Sequence, residues 1–474
     1  METYRLDRDV LMEEGYDLVV AGGGPAGSAA AICAARLGAR VLLVEATGCL
    51  GGMATSGLVT AFDPMADGEK MIVGGFMREV VETMYYRGFI PKMVKPDSWR
   101  RWFHCWTPFK VEGLKLILDE AAVEAGVEVR FFTRVMDADV DRVSSRVSGV
   151  ILQNIEGYRY VTAEAFIDAT GDGILADLCG VPVREAGRDT PNIMPPTLCS
   201  LCSGIDWDKA NLQGLTAQGQ QQGIEQAIED GFFTQPDRHV PGMLYAGNTI
   251  GFLNAGHVFG MDALNIESLS QGMMAGRRQA TEYVEFFRRY LPGFDNVEHV
   301  VSATLMGVRE SRRIVGEYEL NYDDYLARRQ FPDQIGVYNA SVDIHVYDCT
   351  EEEYQRYYEE YTNTGRLQEG ECFGLPYGIL VPKGWQNLWV AGRCSSSDVQ
   401  VHGAIRVQPA AAMMGQAAGT AAVQSVRTGQ PACDLDTEEL VANLRGQGAY
   451  LPQTELSSEI TRKSQGRSTG EENI

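Results

Sequence analysis

Apolar residues 18–21 run directly into Gly22, Gly24 and Gly27, spaced Gly-x-Gly-x-x-Gly, and are followed by an alanine-rich stretch, a second apolar run Val41–Val44 and then Glu45. This order constrains the fold more than anything else in the chain. The first apolar run reads as a buried parallel strand. Gly22 permits a tight turn, Gly24 lets backbone N–H groups reach a pyrophosphate, and Gly27 lets the next helix pack close to the strand. The helix N-terminus after the turn, at Pro25 and Ala26, supplies partial positive charge suited to phosphate. Glu45, with Ala46 beside it, stands near the ~20-residue spacing at which an acid accepts a hydrogen bond from a ribose hydroxyl. Strand, turn, helix, strand and acid in this order predict a βαβ unit that binds an adenine dinucleotide.

Strand and acid suit NAD and FAD equally, so the next segment decides. Residues 47–55 form a second glycine-rich loop, with Gly51, Gly52 and Met53, directly after the acid. An NAD domain would pass soon into a helix, whereas FAD needs backbone along the rest of its pyrophosphate and ribityl chain. FAD is therefore the expected cofactor; the bland alternative is a surface turn that happens to be rich in glycine.

Two distant segments point the same way. Residues 165–173 read as a buried strand running into a turn at Thr170, Gly171 and Asp172, where close backbone approach to the nucleotide would be useful. Residues 387–391 form another buried strand, ending at Gly392 and Arg393. A segment with His402 and Arg406 then leads to an alanine- and glycine-rich helix, with Pro409 well placed near its first turn. A helix N-terminus aimed at the flavin pyrimidine ring would stabilise the negative charge that appears there on reduction.

These four segments resemble the FAD-dependent oxidoreductase family called FAD-oxidoreductase-like, within the wider class that includes fumarate reductase flavoproteins and p-hydroxybenzoate hydroxylase. The similarity extends to residues 305–318, to Asp343 and His345 and to 375–377, and spans roughly residues 14–452. It implies an α/β fold: a Rossmann-like FAD-binding domain, built from a parallel sheet plus a β-meander, with an inserted mixed α+β substrate domain. It leaves the substrate open, because members of such a class share a scaffold and differ in their sites. Many members of the wider class place an Asp after the glycine of the last strand, to hold a ribityl hydroxyl. Here Arg393 stands there, as in the narrower family, and no carboxylate-to-ribityl bond is expected.

At 474 residues the chain exceeds what one core usually supports. The expected division is a first FAD-binding segment at 14–174, the inserted substrate domain at 175–380, a second FAD-binding segment at 381–452 and a flexible tail at 453–474. Apolar spacing predicts a helix over 110–126, short strands at 127–132, 134–140, 147–152 and 158–162, a helix over 265–290, and strands at 300–305 and 340–346. With 41 basic against 64 acidic residues the net charge is −23, which disfavours nucleic acid and anionic membranes as partners. A small-molecule substrate is expected, and a homo-oligomer is left open. Residues 1–15 lack the apolar core of a signal peptide, and ten scattered cysteines suit reduced thiols, so a cytoplasmic location is expected. Residues 407–426 carry no charge, yet their glutamines, alanines and glycines suit a buried helix better than a membrane span.

No second Gly-x-Gly-x-x-Gly follows a strand within 60–400, so electrons should reach the flavin from substrate directly or from a transiently bound donor. Among six histidines, His402 and His345 are the candidates for acid–base work, which calls for a group titrating near neutrality beside the ring. His345 and Asp343 would share one face of a strand. Arg309, Arg312 and Arg406 offer planar donor forks for a carbonyl or carboxylate, and Arg309 and Arg312 would share a helix face. The bland alternatives are hydrogen-bonded core histidines and ion pairs of the arginines with Glu310 and Glu317. Tyr377 would either donate to substrate or pack in the core. Cys199 and Cys202 have the spacing of a redox dithiol, but read better as two buried small residues on an apolar strand, and no metal is expected. Cys49 and Cys394 lie in loops expected near the ring.

The chain is thus expected to be an FAD-dependent oxidoreductase moving a hydride between a small organic substrate and flavin N5, with His402, His345 and Arg309 as its chemical residues. A flavin monooxygenase or ene-reductase using NAD(P)H is one alternative. A flavoprotein with a structural or RNA-modification role is another.

Overall fold

Most strands form where the apolar runs predict them, though not at 340–346, and they pair in ways the runs do not show. The computed structural model describes residues 4–5, 7–102, 106–210, 217–238, 242–362 and 365–452; the tail expected at 453–474, and His104 and His239, lie outside them. Glu128–Arg130, Val41–Val44, Leu11–Ala21 and Gly157–Asp168 lie side by side in parallel. The free edge of Gly157–Asp168 is then shared. Its first half carries the antiparallel meander of Arg146–Asn154 and Arg134–Asp141, while residues 166–168 pair in parallel with Leu388–Val390. The stretches at 158–162 and 165–168 are therefore one strand, because Leu11–Ala21 holds both halves from the other side. Glu128–Arg130 belongs to the parallel part of the sheet and not to the meander. The architecture is α/β, a Rossmann-like parallel sheet extended by a β-meander.

Alternation along the first strand divides the core. Leu18 and Val20 face one cluster, with the helices Pro25–Arg36, Val111–Ala125 and Gln408–Thr428; Val19 and Ala21 face the other, with Val150, Phe166, Leu175 and Leu388. Pro25–Arg36 is buried along residues 26–35 because Gln408–Thr428 crosses it closely. A Cβ at Gly415 would lie 2.0 Å from the Ala26 carbonyl oxygen, and one at Gly419 would lie 2.3 Å from that of Ala30. This contact accounts for the uncharged composition of 407–426. Among the described residues, no helix is long and apolar enough to cross a membrane.

The chain between the strands ending at Asp168 and beginning at Leu388 builds further sheets. Gly242–Tyr245, Gly251–Asn254, Ser200–Ser203 and Glu298–Ser302 form one antiparallel sheet, packed with the helix Ile266–Tyr290. Asn265 caps that helix by accepting from Ser268 N. The pleat sends Cys199 to a cluster with Leu58 and Phe252 and Cys202 to one with Ile205 and Phe286. The two thiols therefore do not form a dithiol. Residues 340–346 are not a strand: pairing ends with Gln334–Tyr338 against Phe373–Pro376, and the following side chains bond elsewhere, as Asn339 does to the Glu371 carbonyl.

Candidate active site

The glycines of the first turn have two different duties. A Cβ at Gly22 (φ +94°) would lie 2.6 Å from the Ala169 carbonyl oxygen, and one at Gly27 would lie 1.7 Å from that of Gly22, so both positions are set by the chain's packing on itself. Gly24 differs, because a Cβ there meets nothing within 4 Å. Its open face borders the N-terminus of Pro25–Arg36, which has no side-chain cap and carries Pro25 in its first turn. Buried Glu45 accepts from Gly23 N through Oε2 (2.6 Å) and from Thr47 N through Oε1 (2.7 Å), which fixes its carboxylate at the rim. The second glycine loop rests on the first: Gly51 N donates to the Gly23 carbonyl at 2.8 Å, and a Cβ at Gly52 would come 2.8 Å from Gly24 Cα. Pro25, Ala46 and Met53 are accessible around this opening, whereas Ala26 is buried beneath it. An open glycine face, an uncapped helix N-terminus and a buried acid fit the pyrophosphate and ribose of an adenine dinucleotide.

At the neighbouring strand end, Asp168 is fully buried and accepts from the N and Oγ1 of Thr170 (2.9 and 2.7 Å) and from Ala176 N (2.9 Å). Thr170 is thus occupied in holding the turn. Asp172 and Arg393 pair at 2.6 Å, and the Ser311 hydroxyl lies 2.8 Å from the first and 3.0 Å from the second. A Cβ at Gly171 would sit 3.2 Å from Arg393 Nη2, so Gly171 lets the two strand ends close on each other, while one at Gly392 would sit 3.2 Å from Ala26 Cβ on the first helix. Where the wider class has an acid, Arg393 brings a carboxylate across from the adjacent strand end, and the pair carries no net charge.

A second cluster lies beside the N-terminus of Gln408–Thr428. The helix Val399–Ile405 abuts the 343–345 segment, since a Cβ at Gly403 would lie 3.0 Å from Asp343 N. Arg406 Nη2 donates to Asp343 Oδ2 (2.6 Å) and to its carbonyl (3.1 Å), while its buried Nε has no partner. The Asp343 side chain is 48% exposed although protein surrounds it, as expected on the wall of a cleft. Burial works against its ionisation, but His345, Arg406 and Arg309 outweigh that and hold the carboxyl well below the usual carboxylate range. Arg309 is buried and donates to the Pro195 carbonyl and to Thr197 Oγ1. Burial, then repulsion from Arg406, lower its pKa to about 10, so it stays charged at neutrality. Of the two guanidiniums only Arg406 pairs with the Asp343 carboxylate; Arg309 adds its charge from where it bonds to Pro195 and Thr197, so the two outweigh that one acid. Asp63 adds a second acid: its Oδ1 is buried without a partner, and burial followed by the charge of Asp343 raises its pKa to about 7.

The acid–base role expected of His402 is not available to it. Its Nε2 lies 3.0 Å from the Arg309 carbonyl and must carry the hydrogen that this oxygen accepts; burial, with Arg313 and Arg406, pushes its pKa well below the usual value. His402 is a neutral donor that positions Arg309. His345 sits in the cluster, 3.3 Å from Asp343, but on irregular backbone and not on the strand expected. Nor do Arg309 and Arg312 share a helix face, because Arg312–Ile314 is a strand paired with Val183–Glu185. Arg312 pairs with Asp177 and Glu185, and Arg313 with Asp189, in place of the expected Glu310 and Glu317. Tyr377 is a core residue, donating to the Ala432 carbonyl (2.9 Å) and accepting from Trp389 Nε1 (2.8 Å). Cys394 is fully buried, with its thiol pushed up by that burial, while Cys49 lies 3.3 Å from Ser56 Oγ in the second glycine loop. Asp63, Asp237 and His257, which complete this region, carry no motif in the sequence. Among the described residues no group of three or more His, Cys, Asp or Glu is placed to hold a metal ion.

The family model described as FAD dependent oxidoreductase matches residues 17–444. The chain is 30% identical over 217 residues to digeranylgeranylglycerophospholipid reductase 2 of Methanothermobacter thermautotrophicus, a stretch that covers 42% of this chain and only 49% of that relative's length. Among solved structures, a geranylgeranyl bacteriochlorophyll reductase-like protein from Thermoplasma acidophilum aligns over 96% of both chains, at 13% identity and a TM-score of 0.42. A p-nitrophenol 4-monooxygenase from Pseudomonas putida aligns over 96% of this chain and 93% of its own, at 11% identity and a TM-score of 0.44. The cradle around Gly24 and Glu45 and a family match over most of the chain lead to one conclusion: this chain belongs to the FAD-dependent oxidoreductases, enzymes whose cofactor is FAD.

Proposed function

We propose that the chain transfers a hydride between a carbon of a small organic substrate and flavin N5, with the substrate held in the cleft bordered by Arg309, Arg406, Asp343 and Asp63. When bound, FAD supplies the two-electron carrier; the open face at Gly24 would take its pyrophosphate and Glu45 its ribose. The observation that carries the proposal is the half-exposed Asp343 carboxylate, paired with Arg406 in the field of the buried Arg309. The surplus positive charge suits a substrate bearing a carboxylate or a polarised carbonyl, which the planar guanidinium fork recognises. The partnerless Nε of Arg406 is a donor such an oxygen would satisfy. Asp63, poised near neutrality, would take or give the proton that accompanies the hydride. The same groups serve oxidation of a C–H next to oxygen or nitrogen and, in reverse, reduction of an activated double bond. The chain between 175 and 380 contributes Arg309 and Asp343, which supports its reading as the substrate-side insertion.

Anaerobic mixing of the purified holoenzyme with sugars, hydroxy acids, amines and, after photoreduction, enoates tests this reading. Flavin absorbance should respond to compounds with a carboxylate or carbonyl beside the reacting carbon, and Arg309→Ala should raise the concentration they require far more than it changes the limiting rate. A response confined to uncharged sugars or amines would overturn it. Neither NADH nor NADPH should bleach the flavin at the rate of turnover, because no second Gly-x-Gly-x-x-Gly follows a strand within 60–400. Rapid bleaching by either would move the chain to the monooxygenase or ene-reductase class.

A further inference from the structure

Behind Asp343 a line of buried polar groups leads away from the cleft. His345 Nε2 lies 3.3 Å from Asp343 Oδ1, its Nδ1 2.8 Å from His257 Nε2, and His257 Nδ1 2.8 Å from Asp237 Oδ2. Asp237 Oδ1 accepts from the Tyr354 hydroxyl at 2.6 Å, and that hydroxyl accepts from Arg238 N at 2.8 Å. His257, His345 and Asp237 are all buried, Asp237 completely. The far end reaches the surface, where Arg238 pairs with Glu225 and with Glu351, the latter 80% exposed.

The number of protons follows from these partners. An ionised carboxylate only accepts hydrogen bonds. His345 Nε2, facing Asp343, therefore needs a hydrogen. His257 Nδ1 is not aligned for a hydrogen bond with Asp237, but at 2.8 Å from a carboxylate oxygen a bare lone pair would be repelled, so it needs a hydrogen as well. The ring-to-ring contact needs one more, on either nitrogen. Three hydrogens on two imidazoles make one positive charge, enclosed by two negative ones. A neutral pair, with two hydrogens, would turn a lone pair toward a carboxylate or set two lone pairs against each other, which is costly in a buried site.

We propose that His345 and His257 jointly hold one excess proton between Asp343 and Asp237, and that this pair is the proton reserve of the cleft. Its use rests on the function proposed above; its existence does not. A pair that already holds its extra proton is a donor, so it serves the direction in which a substrate double bond gains a carbon-bound hydride from the reduced cofactor and a proton on the adjacent atom. The His345 Nε2–H bond breaks and the proton passes by way of Asp343 to the substrate atom, leaving the pair neutral; solvent at the half-exposed Asp343 returns a proton by the same way. The other groups interacting with its two carboxylates are Arg309, Arg406, Asp63 and Tyr357 at Asp343, and Arg309, Tyr283, Tyr354 and Cys349 at Asp237. The arginines oppose the stored charge and the carboxylates hold it.

Nuclear magnetic resonance of holoenzyme labelled with [15N]histidine tests the proposal without substrate, the two rings being assigned through His257→Gln and His345→Gln. At neutral pH three of their four ring nitrogens should be protonated. Asp237→Asn removes one enclosing charge and should lower the pH at which the pair loses its proton by about one to three pH units, the effect typical of a charge at this range. Tyr354→Phe removes a hydrogen bond from Asp237, making it the stronger base, and should shift the same transition upward. Two protonated nitrogens out of four, or shifts of the same sign in both variants, would overturn the store. With the store present, the pH profile of turnover on a responding compound should move with the resonance transition. A profile that stays in place in Asp237→Asn would overturn its role as the cleft's reserve, and leave the substrate reading itself untouched.

Discussion

The Gly24→Val protein should fold and yet emerge colourless. A Cβ at Gly24 meets no atom of the chain within 4 Å, and the residue's φ of −66° is open to any side chain, so the apoprotein has no reason to lose stability. The branched side chain would instead fill the opening that the pyrophosphate needs. Cofactor released by heat should fall from about one FAD per chain to almost none. The rise in melting temperature that added FAD gives the parent protein by mass action should vanish as well. Gly27→Ala supplies the contrast: its Cβ would lie 1.7 Å from the Gly22 carbonyl oxygen, so the same turn should fail to form. Full FAD content in Gly24→Val would show that the dinucleotide lies elsewhere.

Asp63→Asn should slow the substrate-linked step by ~10²- to 10⁴-fold, the range a general acid or base usually contributes, with FAD content unchanged and the inflection near pH 7 abolished. Its effect on stability should have the opposite sign. Folding raises the Asp63 pKa to about 7, so between the ordinary carboxylate range and that value the folded chain keeps a proton that the unfolded chain has released. Stability therefore falls as pH rises through this window and stays low above it. Asparagine has no proton to lose. The variant apoprotein should melt above the parent at about pH 8, and the difference should close toward about pH 4. A variant that loses activity and also melts lower at about pH 8 would mark Asp63 as structural.

The cradle was legible in the sequence because its glycines answer in part to local backbone geometry: Gly22 stands at φ +94°, and Gly27 packs on the Gly22 carbonyl within the same turn. The helix Val111–Ala125, stopped at Gly126 (φ +79°), was legible for the same reason. The sheet was less so. Gly157–Asp168 reads as two pieces because its free edge changes partner midway, and no residue marks the change. The cleft was least legible. His402 and Arg309 are adjacent in space, but which of them is committed to a hydrogen bond depends on a carbonyl that no side-chain pattern reveals. His257 and Asp237 have ordinary surroundings in the sequence, and become notable only where separate segments meet around His345. Asp63 owes its raised pKa to burial and to the charge of Asp343, both properties of the finished structure.

The backbone-to-backbone seam of Gly415 and Gly419 against Ala26 and Ala30 joins helices from opposite ends of the sequence. During synthesis the glycine turn leaves the ribosome long before the helix that covers it, and its alanine helix waits for that cover. Contacts this distant in sequence are slow to form. Capture of the flavin is therefore a late event, and a nascent chain halted before residue 408 would present the phosphate turn on an uncovered apolar helix, a substrate for chaperones before it is a flavoenzyme.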